Sequence, residues 1–151
     1  MRRSFYAMGL ACLFGLQALS LHAQPLSPKN HFILRCVGCH GPDGSGSEKG
    51  GIPDFNGYVG AFSYLPEGRL YLMHVPGVVG SGLSDQEIAD VMNYLMHEWG
   101  GASMDDTYQP FSEHEVQSLR AQPLKDVVDY RRKVVEKLKA EGRPVAPYPW
   151  P

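Results

Sequence analysis

The chain has 151 residues, with 14 lysines and arginines, 16 aspartates and glutamates, and a formal net charge of -2. This length predicts one compact domain with room for a small addition, and the 17 glycines and 12 prolines predict many turns. Because lysine and arginine are not in excess, the composition argues against nucleic acid as a partner.

Residues 1–23 are predicted to be an export signal that is removed from the mature protein. After a basic start, residues 7–21 are mostly apolar, and Leu21-His22-Ala23 offers a small residue at the cleavage point. Ala18-Leu19-Ser20 is an alternative cleavage site. The apolar run is short for a membrane span, so we expect no stable span in the mature chain and a periplasmic location. Cys12 is expected to leave with the signal.

A short helix is predicted to begin at Ser27-Pro28, since serine is a good cap and proline is tolerated at the first helical position. Phe32, Ile33 and Cys36 then occupy neighbouring positions on one face. The helix should therefore deliver Cys36 with an apolar face behind it. His31, on the same helix, is expected to be an exposed polar residue.

The next five residues, Cys36-Val37-Gly38-Cys39-His40, form a Cys-x-x-Cys-His motif, which is typical of covalent c-type haem attachment. Two thiols at this spacing can add to the two vinyl groups of one haem, and His40 can supply a neutral imidazole nitrogen to the iron. Redox dithiols and zinc sites also use Cys-x-x-Cys. Zinc would need a second ligand pair, however, and a thioredoxin-like site would need a βαβ context that this sequence lacks. The motif predicts one covalent haem c.

Four helical segments are predicted after a glycine-rich loop at residues 41–47. The first is short, runs through residues 69–75 and ends at Pro76-Gly77, and residues 78–82 are expected to be a flexible loop. The second begins at the capping box Ser84–Glu87 and ends at Gly100-Gly101, with an apolar stripe that contains Met92 and Met96. The third begins at a second capping box, Ser112–Glu115. The fourth spans residues 124–138, before Gly142 and Pro144.

The order of these motifs resembles that of a small class I c-type cytochrome over about residues 27–99. The matching features are Cys-x-x-Cys-His-Gly-x-x-Gly-x-Gly, then Pro-x-aromatic-x-Gly at residues 53–57, then Leu-Ser-Asp-x-Glu-Ile at residues 83–88. The resemblance implies an all-α cytochrome c fold, with three to four helices around one covalent haem. It also implies that Pro53 offers its backbone carbonyl to the second ring nitrogen of His40, which would fix the imidazole orientation.

The same resemblance divides the chain into four parts. Residues 1–23 are the signal, and residues 24–100 form the haem domain. Residues 101–142 form an extension with two additional helices, and residues 143–151 form a proline-rich tail. The extension is expected to be either a strap that stabilises the haem domain or a docking element for a redox partner.

The sequence departs from the class I pattern at the sixth iron ligand. That family presents Met-Pro before the Leu-Ser-Asp helix, and the methionine sulfur completes the iron coordination. Here Val75 precedes Pro76. Met73 as ligand would keep His/Met coordination, whereas His74 would give His/His coordination with a lower potential. The third alternative is an iron that is five-coordinate or closed only by water. In a helix, Met73 and His74 point about 100° apart, so only one of them can face the haem.

The function implied by the resemblance is electron transfer between a periplasmic dehydrogenase and a downstream acceptor, such as an oxidase or another cytochrome. We expect no enzyme activity, because the sequence shows no Ser/His/Asp set, second metal cluster or phosphate-binding glycine loop. The alternatives are a haem enzyme or gas-binding protein with an open iron position, and a cytochrome subunit of a larger oxidoreductase complex.

Overall fold

The computed structural model describes residues 24–147, so the predicted signal and the end of the proline-rich tail lie outside the described residues. Within this range the chain forms seven α-helices and no β-strand, which confirms the predicted all-α fold. The helices are α1 (Pro28–Arg35), α2 (Val37–His40), α3 (Pro66–His74), α4 (Pro76–Val79), α5 (Asp85–Trp99), α6 (Glu113–Arg120) and α7 (Val127–Ala140). Two 3₁₀ helices span Val59–Ser63 and Gly101–Ser103. None of the helices described here combines the length and apolar character needed to cross a membrane.

Helix α5 is the longest element, and its predicted start and buried stripe are both confirmed. The Ser84 hydroxyl accepts a hydrogen bond from the Glu87 backbone N–H (3.3 Å), and the Glu87 carboxylate accepts one from the Ser84 N–H (2.8 Å). The face that carries Met92 and Met96 is buried in the core. Both methionines therefore pack as core residues, as the apolar spacing predicted.

Helix α1 packs against α5, and this contact corrects the expectation for His31. The Phe32 ring, almost fully buried, lies 4.7 Å from the Trp99 ring, centroid to centroid. His31 is also buried rather than exposed, and its Nε2 lies 3.5 Å from the Glu87 carboxylate. The prediction failed because α1 presents two adjacent residues to α5, so its buried face is wider than the apolar pattern indicates.

Part of the segment expected to be a flexible loop is a short helix instead. Pro76 occupies the first position of α4, where proline needs no hydrogen-bond partner. The Val75 carbonyl accepts from the backbone N–H groups of Val78 (2.9 Å) and Val79 (3.1 Å). The proline that ends α3 therefore also begins α4.

The C-terminal extension shares the hydrophobic core of the preceding helices. Helix α6 packs against α5 and α3, and α7 packs against α3 and the first 3₁₀ helix. Four buried side chains of the extension belong to the same cluster as the α1 and α5 core: Phe111, Val116, Val134 and Leu138. The extension therefore adds to the core that the haem domain was expected to form alone.

Arg69 joins the extension to α3 through several contacts at once. Its guanidinium donates to both carboxylate oxygens of Glu115 (2.5 and 2.6 Å) and to the backbone carbonyls of Ser63 (3.1 Å) and Gln109 (3.0 Å). It also lies 3.7 Å above the Phe111 ring. The Arg69 side chain is only 11% exposed. Because the Glu115 carboxylate is engaged here, only the Ser112 half of the second predicted capping box is formed.

Replacing Arg69 by methionine should lower the free energy of unfolding by about 3 kcal/mol, because it leaves the Glu115 carboxylate and two carbonyls without their donor. The matched control is Lys133→Met, which removes an exposed pair with Asp129 and should change stability by less than about 0.5 kcal/mol. Denaturant unfolding of the purified proteins measures both. Equal effects would show that Arg69 does not hold the extension in place.

Candidate haem-attachment site

The two cysteines and His40 are brought together by the junction of α1 and α2. Cys36 ends α1 and also caps α2, and its carbonyl accepts hydrogen bonds from the N–H groups of Cys39 (3.1 Å) and His40 (3.0 Å). The three functional residues therefore lie within a little more than one helical turn. Both cysteines are free thiols, with Cys39 exposed and Cys36 half-buried. Each thiol is available for a thioether bond.

The surroundings of the thiols argue against a redox dithiol. Burial raises the pKa of Cys36, and the nearby Cys39 raises it further. Catalytic dithiols need the opposite shift, since the thiolate is the reactive form. The described part of the chain also holds no group of three or more His, Cys, Asp or Glu side chains placed for a metal ion. A zinc site around the two cysteines therefore has no further ligands to use.

The imidazole of His40 is held in the neutral form that an iron ligand requires. Burial lowers the pKa of His40 to about 4, although the Pro53 backbone carbonyl acts in the opposite direction. The ring stacks on Phe55, with 4.0 Å between centroids and 19° between planes. Because nitrogen lone pairs lie in the ring plane, stacking on the face leaves them available.

His40 Nδ1 is buried and has no hydrogen-bond partner. Pro53 therefore approaches the ring closely enough to affect its pKa without completing a hydrogen bond to Nδ1. A buried polar atom without a partner is unusual and points to a missing interaction. Fixing the ring as an iron ligand through an Nδ1–H···O bond to Pro53 would remove this deficit. That role for Pro53 stays a prediction.

A loop encloses His40 and returns to its backbone. The Gly46 N–H donates to the His40 carbonyl (2.9 Å), and the Phe55 N–H donates to the Gly44 carbonyl (2.9 Å). Gly46 has φ of +72°, and a Cβ there would lie 2.4 Å from the Ile52 carbonyl and 2.6 Å from that of Pro53. Only glycine fits this position, because the backbone that carries the Pro53 carbonyl passes directly over it.

The end of α5 fixes this loop. The Trp99 carbonyl accepts from the Gly57 N–H (2.8 Å), and a Cβ at Gly44 would lie 2.9 Å from the indole ring. The Trp99 ring also lies 6.1 Å from Phe55, the residue that stacks on His40. No role for Phe55 or Trp99 was predicted from the sequence. Phe55 was the aromatic residue of the Pro-x-aromatic-x-Gly pattern, which was the available signal for it.

The two candidates for the sixth ligand lie on the last turn of α3. Met73 is fully buried in the hydrophobic core. His74 has both ring nitrogens within hydrogen-bond distance of backbone carbonyls, Nδ1 to Leu70 (2.9 Å) and Nε2 to Gln122 (2.8 Å). Both residues are thus engaged by protein groups.

The fold and the site together define a helical protein built to carry a covalently attached haem. The thiol pair, the neutral imidazole and its unpartnered second nitrogen all fit that group. No protein-family model matches the chain. Over 108 residues it is 33% identical to cytochrome c-552 of Thermus thermophilus, in a match that covers 60% of this chain and 82% of that protein. A second cytochrome c-552, from a named strain of the same species, is also 33% identical over 108 residues, with 60% and 72% covered. The chain belongs to the c-type cytochromes.

Gly46 and Gly57 offer a matched test of the loop. Both have positive φ, +72° and +75°, but a Cβ at Gly57 would meet nothing within 4 Å. Gly57→Ala should cost about 1–2 kcal/mol from backbone strain alone. Gly46→Ala should cost clearly more, because it also displaces the backbone at Ile52 and Pro53. Denaturant unfolding of the haem-loaded variants measures the difference, and equal losses would contradict the tight approach.

Proposed function

We propose that this protein is an exported, monohaem class I c-type cytochrome that carries one electron at a time. Its donor would be a periplasmic dehydrogenase, and its acceptor an oxidase or another cytochrome. The observation that carries the proposal is the neutral, buried His40 held within one turn of two available thiols. The named relatives, both cytochromes c-552, support it.

Each residue of the site has a separate task in this proposal. Cys36 and Cys39 form the thioether bonds, and His40 supplies the proximal nitrogen. The bound haem supplies the iron that changes between two oxidation states. Pro53 accepts the Nδ1 hydrogen of His40 and so raises the basicity of the ligand. Phe55 and Trp99 cover the imidazole with apolar surface, which keeps its orientation fixed when the iron changes charge.

A redox titration of the haem-loaded protein tests the proposal. We expect a reversible couple with one electron per haem and rapid electron exchange with small redox proteins. His40→Ala should abolish this couple or the haem content, and Cys36→Ala and Cys39→Ala should each leave at most one thioether, seen in the alkaline pyridine spectrum. The control His97→Ala alters an exposed histidine of α5 and should change neither. An irreversible couple in the wild type would contradict the carrier function.

For the C-terminal extension we propose the role of a strap rather than that of a partner-docking element. Its support is the shared core and the Arg69 contacts. The alternative, a cytochrome subunit held to a larger complex by this extension, would need the extension to be dispensable for folding.

Ending the chain after Met104 separates these roles. The truncation removes Phe111, Val116, Val134 and Leu138 from the core, and truncating even one such side chain typically costs about 2–5 kcal/mol. We therefore expect low haem content and loss of cooperative thermal unfolding. A truncated protein that keeps its haem and its melting temperature but is reduced more slowly by its donor would instead favour docking. The tail variant ending after Pro147 is the control, and it should resemble the full chain.

A further inference from the structure

The segment between α3 and α5 contains no side chain suited to bind iron or to act as an acid or base. Residues 75–83 read Val-Pro-Gly-Val-Val-Gly-Ser-Gly-Leu. The one hydroxyl, on Ser81, is occupied locally: it donates to the Val78 carbonyl (2.8 Å) and accepts from the Leu83 N–H (3.2 Å). Iron ligation therefore has to come from another element, if a side chain supplies it at all.

Met73 is poorly placed to be that ligand. Its relative exposure is 0%, so its side chain is enclosed by protein atoms on every side and adjoins no space as large as a water molecule. Helix α3, which carries Met73, is covered by α6, α7 and the first 3₁₀ helix. A thioether can bind iron only where a haem can reach it. To do so, Met73 would have to leave a closely packed core, which resists rearrangement.

His74 is held away from iron by its hydrogen bonds. Both partners, the carbonyls of Leu70 and Gln122, are acceptors. A nitrogen that donates a proton to a carbonyl has no lone pair left for a metal. The Gln122 contact also joins α3 to the segment after α6. Ligation by Nε2 would break that contact and leave a carbonyl of the extension without its donor.

The remaining methionines and histidines of residues 24–147 are likewise engaged. Met92 and Met96 are buried in the α5 core, and Met104 packs against Gly60 and Gly100. His31 lies beside Glu87, and His97 meets the Tyr108 ring edge-on at 6.3 Å. His114 is exposed in the first turn of α6, the helix whose other side packs on α3 and α5.

We propose that the iron of the haem-loaded protein has no methionine or histidine from residues 24–147 as its sixth ligand, and that this position binds a small neutral diatomic gas of the carbon monoxide or nitric oxide class. The proposal rests on the haem attachment proposed above. Because residues 75–83 offer no acid or base, the expected chemistry at this position is reversible binding rather than catalysis.

Carbon monoxide binding by the reduced, haem-loaded protein tests this. The wild type should bind one carbon monoxide per haem on mixing. Met73→Leu and the matched core control Met92→Leu should bind it at the wild-type rate, since both substitutions conserve volume. His74→Gln should also keep the wild-type spectrum.

A Met73 ligand would give a different result. A bound methionine would keep the iron accessible only a small fraction of the time, on the order of 10% or less, so Met73→Leu would accelerate binding about tenfold or more. That acceleration, or a long-wavelength iron–thioether band lost in Met73→Leu but retained in Met92→Leu, would overturn the proposal. An accelerated His74→Gln would overturn it as well.

The outcome is distinguishable from failure of the carrier function. Rapid gas binding together with an irreversible redox couple would support an open iron position and reject the carrier. A reversible couple with no gas binding in the wild type would retain the carrier and reject the open position. Haem content, read from the alkaline pyridine spectrum, shows independently that the haem is attached.

Discussion

The packing of Trp99 against the haem-attachment loop is the constraint on which the site depends. This residue closes α5, contacts Phe32 of α1 and leaves room for no side chain at Gly44. It also lies beside Phe55, which in turn stacks on His40. The orientation of the proximal imidazole is therefore set by the far end of the longest helix, and not only by the motif in which it occurs. Aromatic contacts of this kind fix geometry as well as burying area.

The sequence predicted those parts of the fold whose signals are local. The Ser84–Glu87 capping box and the α5 stripe need only residues within a few turns of each other, and both are present. Prediction from the sequence failed where a distant partner decides the outcome. His31 is buried because Glu87, from another helix, lies beside it. Glu115 leaves its own helix start unfinished because Arg69 binds its carboxylate more favourably, in a bidentate pair.

The same distinction explains how much of the site could be predicted. Cys36, Cys39 and His40 are close in sequence and sit on one turn, so the motif implies their geometry directly. The sixth ligand is different, because Met73 and His74 are neighbours on one helix and their roles depend on what covers each face. Periodicity shows that they point in different directions. It does not show that one is enclosed in the core and the other is bound to the backbone of a segment 48 residues away.

The extension and the iron site are thereby connected. Helices α6 and α7 cover α3, and the Gln122 carbonyl engages the nitrogen through which His74 could otherwise bind a metal. Arg69 holds this arrangement from the other end of α3, where a single buried guanidinium joins the extension to the 3₁₀ helix before it. A cytochrome without the extension would have α3 uncovered, and both candidate ligands would be free to move. The strap therefore does more than stabilise the core, because its position on α3 determines which groups remain available to the iron.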